Sequence, residues 1–140
     1  GCPEGFFMAP SSSKQCFKFG RYVNWTMANS TCHSEGLVMA RPYNAVALRS
    51  YLVQRFGYWS TVWLNAQGTG SYVRWKDGSN QVIYSSNPLW YSGYPGSYTS
   101  TSYCLTLYAY SAGWKSYPQQ PYVMTTCSTS RYTLCELVSE

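Results

Sequence analysis

The chain carries few groups that could move protons or hold a metal ion. Its acids are Glu4, Glu35, Asp77, Glu136 and Glu140, and its one histidine is His33. Glycoside hydrolysis needs two carboxyls facing each other across a bond. Nucleophilic catalysis needs a nucleophile, a base and a third group that orients the base. Asp77 precedes Gly78 and reads as a turn residue, and His33 reads as a surface or half-buried residue of a helix. Glu4 and Glu140 stand near the termini, and from Gly78 to Arg131 there is no Asp or Glu at all. These residues predict no enzyme, no catalytic residue and no cofactor.

Cysteine is the other reactive type. Cys2, Cys16, Cys32, Cys104, Cys127 and Cys135 make an even set without a single Cys-x-x-Cys pair. Zinc sites usually take ligands in such close pairs, and one histidine does not complete a set. Three disulfides in an oxidising compartment fit better, although six cysteines allow 15 pairings. Two sequons, Asn24-Trp25-Thr26 and Asn29-Ser30-Thr31, fit a secretory route, with Asn29 the better acceptor because Asn24 is also placed to cap a helix. The expectation is a secreted, extracellular chain. Gly1-Cys2-Pro3-Glu4 has no basic head before an apolar stretch, so any signal peptide is expected to have been removed already.

What the chain has in excess is aromatic surface, with 15 Tyr and 6 Trp. Tyr and Trp give broad, stiff contact area with a polar tip, at low entropic cost. The formal charge of +5 is spread along the chain and forms no basic stripe, which argues against nucleic acid and leaves a mild bias toward anionic partners. No apolar run reaches the roughly 18 residues of a spanning helix, so the chain is not expected to span a membrane.

These residues need a scaffold. At 140 residues the chain is the size of one domain, expected to cover residues 1–140, and 45% apolar residues can supply its core. Asn24 caps a helix whose inner face is Trp25, Ala28 and Cys32, with Gly36 as its stop. A second helix is predicted from about Asn44 to Phe56, with Ala45, Leu48 and Leu52 inward and Gly57 at its end. From residue 60 onward the pattern turns to short β runs: Val62-Trp63-Leu64, Tyr72–Trp75, Val82–Tyr84, Tyr103–Leu107, Tyr122–Met124 and Tyr132–Leu134. Between them, Ser85 to Ser102 is a long stretch of Ser, Thr, Gly, Pro, Tyr and Trp. A loop of that length in a small domain is usually functional or disordered. Two helices followed by an antiparallel sheet predict an α+β fold.

The order of these features resembles a long-form C-type lectin-like domain of the secreted, single-domain type seen in invertebrates. Cys2-Pro3-x-Gly5-Phe6 with Cys16-Phe17 is similar to its opening hairpin, and Trp25-x-x-Ala28-x-x-x-Cys32 to its first helix. Val62-Trp63-Leu64 matches its core strand, Trp75-x-Asp77-Gly78-Ser79 the turn that follows, and Cys135-Glu136 the closing strand. The resemblance covers the whole chain. It implies the pairings Cys2–Cys16, Cys32–Cys135 and Cys104–Cys127.

In the sugar-binding members of that family, a calcium ion bridges protein and sugar through Glu-Pro-Asn or Gln-Pro-Asp, a further acid, and Asn-Asp on the next strand. The matching places here read Tyr94-Pro95-Gly96, Ser102 and Tyr122-Val123-Met124. Calcium wants six to eight oxygen ligands, several of them carboxylates. None stands here, so no metal is expected at that place. The expected binding surface is Tyr94, Tyr98 and Tyr117, flanked by Gly, Ser and Pro, with Tyr91 and Tyr103 beside them. Trp90, Pro95 and Trp114 are expected to shape the loop, Pro95 through the cis bond of its family counterpart. The partner expected is a glycan bound without calcium, in a role that includes innate defence. A protein-interaction or self-assembling extracellular module is the alternative, with ice or mineral binding behind it.

Overall fold

The computed structural model describes residues 1–109 and 119–138. Among the described residues there are two helices, α1 (Trp25–Ser34) and α2 (Ala45–Phe56). Each is started by an asparagine whose side-chain oxygen accepts from the backbone N–H three residues on, Asn24 from Met27 at 2.9 Å and Asn44 from Ala47 at 3.0 Å. The predicted inner faces are buried: Trp25, Ala28 and Cys32 on α1, and Ala45, Leu48 and Leu52 on α2, where Arg49 is buried as well. Gly57 closes α2 at φ 95°, a left-handed value that a side chain disfavours.

The strands are β1 (Phe7–Ala9), β2 (Ser12–Val23), β3 (Val38–Met39), β4 (Val62–Gly68), β5 (Val73–Trp75), β6 (Val82–Ile83), β7 (Tyr103–Leu107), β8 (Tyr122–Thr126) and β9 (Arg131–Glu136). Their order is β1-β2-β9-β4-β5-β6, with β3 on β9 and β7 joining β4 to β8. All pairings are antiparallel except β4 with β9, where Val62 lies beside Tyr132 in parallel. The sheet is therefore mixed, a small departure from the antiparallel sheet expected.

A larger departure lies before residue 60. The opening hairpin is there, but β2 runs for 12 residues to Val23, a strand that no alternation in the sequence announces. Its pairing with β9 slips between Phe19 and Tyr22, around Gly20 and Arg21, so the period of two breaks in mid-strand.

Strand β4 divides the interior. Val62, Leu64 and Ala66 face one core with α2, β7 and β8, while Trp63 faces a second with α1 and β3. Both buried indoles near this divide find acceptors: Trp63 donates to the Val23 carbonyl at 2.9 Å and Trp25 to that of Leu64 at 3.0 Å. The disulfides are Cys2–Cys16, Cys32–Cys135 and Cys104–Cys127, the pairings implied by the resemblance. No helix among the described residues is long and apolar enough to cross a membrane.

Candidate functional site

Between β6 and β7 the chain makes a long loop that is fastened at each stage. Its first limb is held by Trp90, 4% exposed, whose indole donates to the Tyr84 carbonyl at 2.9 Å and stands edge-on to Tyr122 at 5.7 Å. The backbone reinforces this anchor: Tyr122 N–H donates to Leu89 and Tyr91 N–H to Tyr122, both at 3.0 Å. Trp90 is thus buried where the limb leaves β6. Pro95 is buried at the turn of the loop, and the Tyr94–Pro95 bond is cis.

The returning limb lies across the end of β4. A Cβ on Gly68 would fall 2.1 Å from the Ser100 carbonyl oxygen, so the two backbones approach as only glycine permits. Gly70 N–H donates to Thr99 at 2.9 Å, the Thr99 hydroxyl donates back to Gly70 at 2.8 Å, and the Gln67 amide donates to Thr101 at 2.8 Å. Cys104–Cys127 and the Cys127 N–H bond to Ser102 at 2.9 Å close the base.

On this frame four of the expected tyrosines come together. Ring centroids run from Tyr91 to Tyr94 at 6.3 Å, Tyr94 to Tyr98 at 5.4 Å and Tyr98 to Tyr103 at 5.1 Å. Tyr98 is 40% exposed. Tyr94 is half-buried instead, packed with Tyr103 against the larger core. Burial pushes the Tyr94 phenol up from its ordinary pKa, and the neighbouring phenols of Tyr98, Tyr108 and Tyr91 push the same way. The phenol therefore stays neutral at ordinary pH, offering both a donor and an acceptor beside its ring. Tyr117 and Trp114, also expected here, lie outside the described residues.

Three of the acids, Glu35, Asp77 and Glu136, are engaged elsewhere. Glu35 pairs with Lys18, and Asp77 pairs with Arg41 at 2.7 Å while accepting from Ser79. Asp77 is thus both the expected turn residue and the anchor of an arginine 36 positions earlier, a link that no local pattern carries. Arg41 also donates to Ser79 and Gln81 and lies 4.8 Å over the Trp75 ring. Glu136 accepts from Arg41 N–H at 3.0 Å and from the buried Gln15 amide at 3.1 Å. Burial pushes its pKa up, against those two hydrogen bonds. His33 is on the surface of α1.

Calcium does not fit the place where the resemblance would put it. Tyr94-Pro95-Gly96 and Ser102 supply no carboxylate, and Tyr122, Val123 and Met124 are 3 to 5% exposed, built into the core. Among the described residues no three of His, Cys, Asp and Glu sit together as a metal set would.

The chain is a C-type lectin-like domain in its fold. No family model matches its sequence, and no curated protein does. Solved structures match along its length. Human lithostathine superposes with a TM-score of 0.73 at 19% identity, covering 99% of this chain and 100% of that one. A calcium-independent type II antifreeze protein gives 0.72 at 18%, covering 100% and 96%. SPL-1, solved with GlcNAc, gives 0.71 at 16%, covering 96% and 93%. At such identities the likeness is one of fold.

Proposed function

We propose that this chain is a secreted, non-enzymatic recognition domain that binds glycans without calcium, in a role that includes innate defence. The observation that carries this reading is the run of tyrosines, Tyr91, Tyr94, Tyr98 and Tyr103, held on a loop fastened by Trp90 and Gly68. Aromatic faces take the apolar side of a sugar ring, and phenol hydroxyls exchange hydrogen bonds with its hydroxyls. The like fold of SPL-1, solved with GlcNAc, supports the ligand class. Pro95 shapes the surface in this reading, and Asn29 and Asn24 are the glycosylation candidates. A mixed-glycan affinity column tests the whole: the chain should be retained and released by free sugar but not by a chelator. Release by the chelator alone, or passage straight through, would contradict the proposal.

A second reading, a protein-interaction or self-assembling module, is favoured by the exposure of large rings elsewhere, including Tyr43 at 70% and Tyr84 at 63%. Light scattering across a concentration series would show assembly. The fold shared with an antifreeze protein makes thermal hysteresis the screen for ice binding.

A further inference from the structure

A cleft on the turn after α2 shares no lining residue with the tyrosine run, although its Tyr108 is near enough to Tyr94 to act on that phenol. The turn between α2 and β4, Gly57-Tyr58-Trp59-Ser60, is drawn tight by the Ser60 hydroxyl, which donates to the Gly57 carbonyl at 2.7 Å. It displays Trp59 at 74% exposure, more than any other large apolar side chain among the described residues. Tyr22 from β2 and Tyr108 from the end of β7 face the same cleft, and Arg131 opens β9 at its edge. The volume is about 200 Å³. That is below the roughly 300–1,000 Å³ of sites for drug-sized ligands, and it suits one ring.

The walls rest on rigid elements. Tyr132 N–H donates to the Thr61 carbonyl at 3.1 Å, and Ala109 N–H donates to the Thr61 hydroxyl at 2.9 Å, tying β9 and the end of β7 to the start of β4. Tyr22 is braced edge-on by Tyr132 at 4.9 Å. Arg131 gives one N–H to the Ser130 carbonyl at 2.8 Å, and no carboxylate among the described residues is within ion-pair distance of it. The remaining guanidinium N–H groups form a fork suited to a carboxylate, beside an indole face suited to an apolar ring surface.

We propose that this cleft binds a single saccharide unit bearing a carboxylate, of the sialic or uronic acid class, with Trp59 under the ring and Arg131 on the acid. The inference does not depend on the tyrosine run binding anything. The test is a titration of the ¹⁵N-labelled chain followed at the Trp59 indole N–H signal, assigned by its loss in Trp59→Phe. N-acetylneuraminic acid and glucuronic acid are compared with glucose, a ring without the acid, and succinate, an acid without the ring. At least one acidic sugar should shift the signal in a saturable way, about tenfold more tightly than glucose or succinate. Arg131→Gln should abolish that preference, while Tyr98→Ala should leave it intact. No shift with either acidic sugar, equal binding of glucose, equal binding of succinate (the behaviour of an acidic-peptide site), or an unchanged preference in Arg131→Gln would each overturn the proposal. The ligand series on the unaltered chain decides between these outcomes even where a variant fails to fold.

Discussion

Two tyrosines that look alike in the sequence carry different burdens. Tyr98 is 40% exposed, whereas Tyr94 packs partly into the core. Tyr98→Ala should therefore leave stability within about ±0.5 kcal/mol and reduce glycan affinity by roughly 2 kcal/mol, the cost of a binding hot spot. Tyr94→Phe is the matching test of the hydroxyl, since it keeps the packed ring. Binding that survives both changes would move recognition away from these residues; thermal melts alongside the titrations separate the two effects. At Glu136 the question is one of pH. Burial sets its folded pKa above the ordinary 4.5, so the folded chain holds an extra proton between 4.5 and the raised value. Its contribution to stability is whole below that window and is lost as pH rises through it. Glu136→Gln, which cannot ionise, should flatten this part of the profile in urea unfolding from about pH 4 to about pH 8. A slope identical to wild type would show that the carboxyl is not desolvated.

At the scale of the elements, the loop is a fastened structure, and its two clamps differ in kind. Trp90 fills space, so Trp90→Ala should destabilise by roughly 3–5 kcal/mol. Gly68 yields space, so Gly68→Ala should push a methyl group into the Ser100 carbonyl and cost roughly 1–3 kcal/mol, with glycan binding weakened as the returning limb shifts. An alanine variant that melts and binds like wild type would mean that the limb is not held there. The loop itself is legible because Ser, Gly and Pro replace the apolar periods between Ser85 and Ser102, and both helices because a cap, an inner stripe and a glycine stop coincide. Strand β2 is hidden by its slip around Gly20 and Arg21, which breaks the alternation by which a strand is read. The contact of Gly68 with Ser100 and the pairing of Arg41 with Asp77 join distant positions, and nothing local marks them. Trp59 is a different case: its surroundings, a glycine before and a serine after, are the same signal that singles out Tyr94 and Tyr98, but it stands outside the long loop.

Across the whole molecule, the long-range disulfide matters most. Cys32–Cys135 spans 103 residues against 23 for Cys104–Cys127 and 14 for Cys2–Cys16. Closing about a hundred residues gives roughly 4.7 kcal/mol in the chain-entropy model, so the paired Cys32→Ala and Cys135→Ala change should lower the melting point most of the three. A larger drop from either shorter bridge would mean that local packing, and not loop closure, governs. The central claim is that sugar is recognised by tyrosines where a calcium site is lacking. The most direct measurement is a glycan array read in excess chelator, with wild type and Tyr98→Ala side by side. The account predicts that wild type binds a defined set of glycans equally with calcium or chelator, and that Tyr98→Ala loses most of that signal. Binding that vanishes in chelator, or that persists undiminished in Tyr98→Ala, would contradict it.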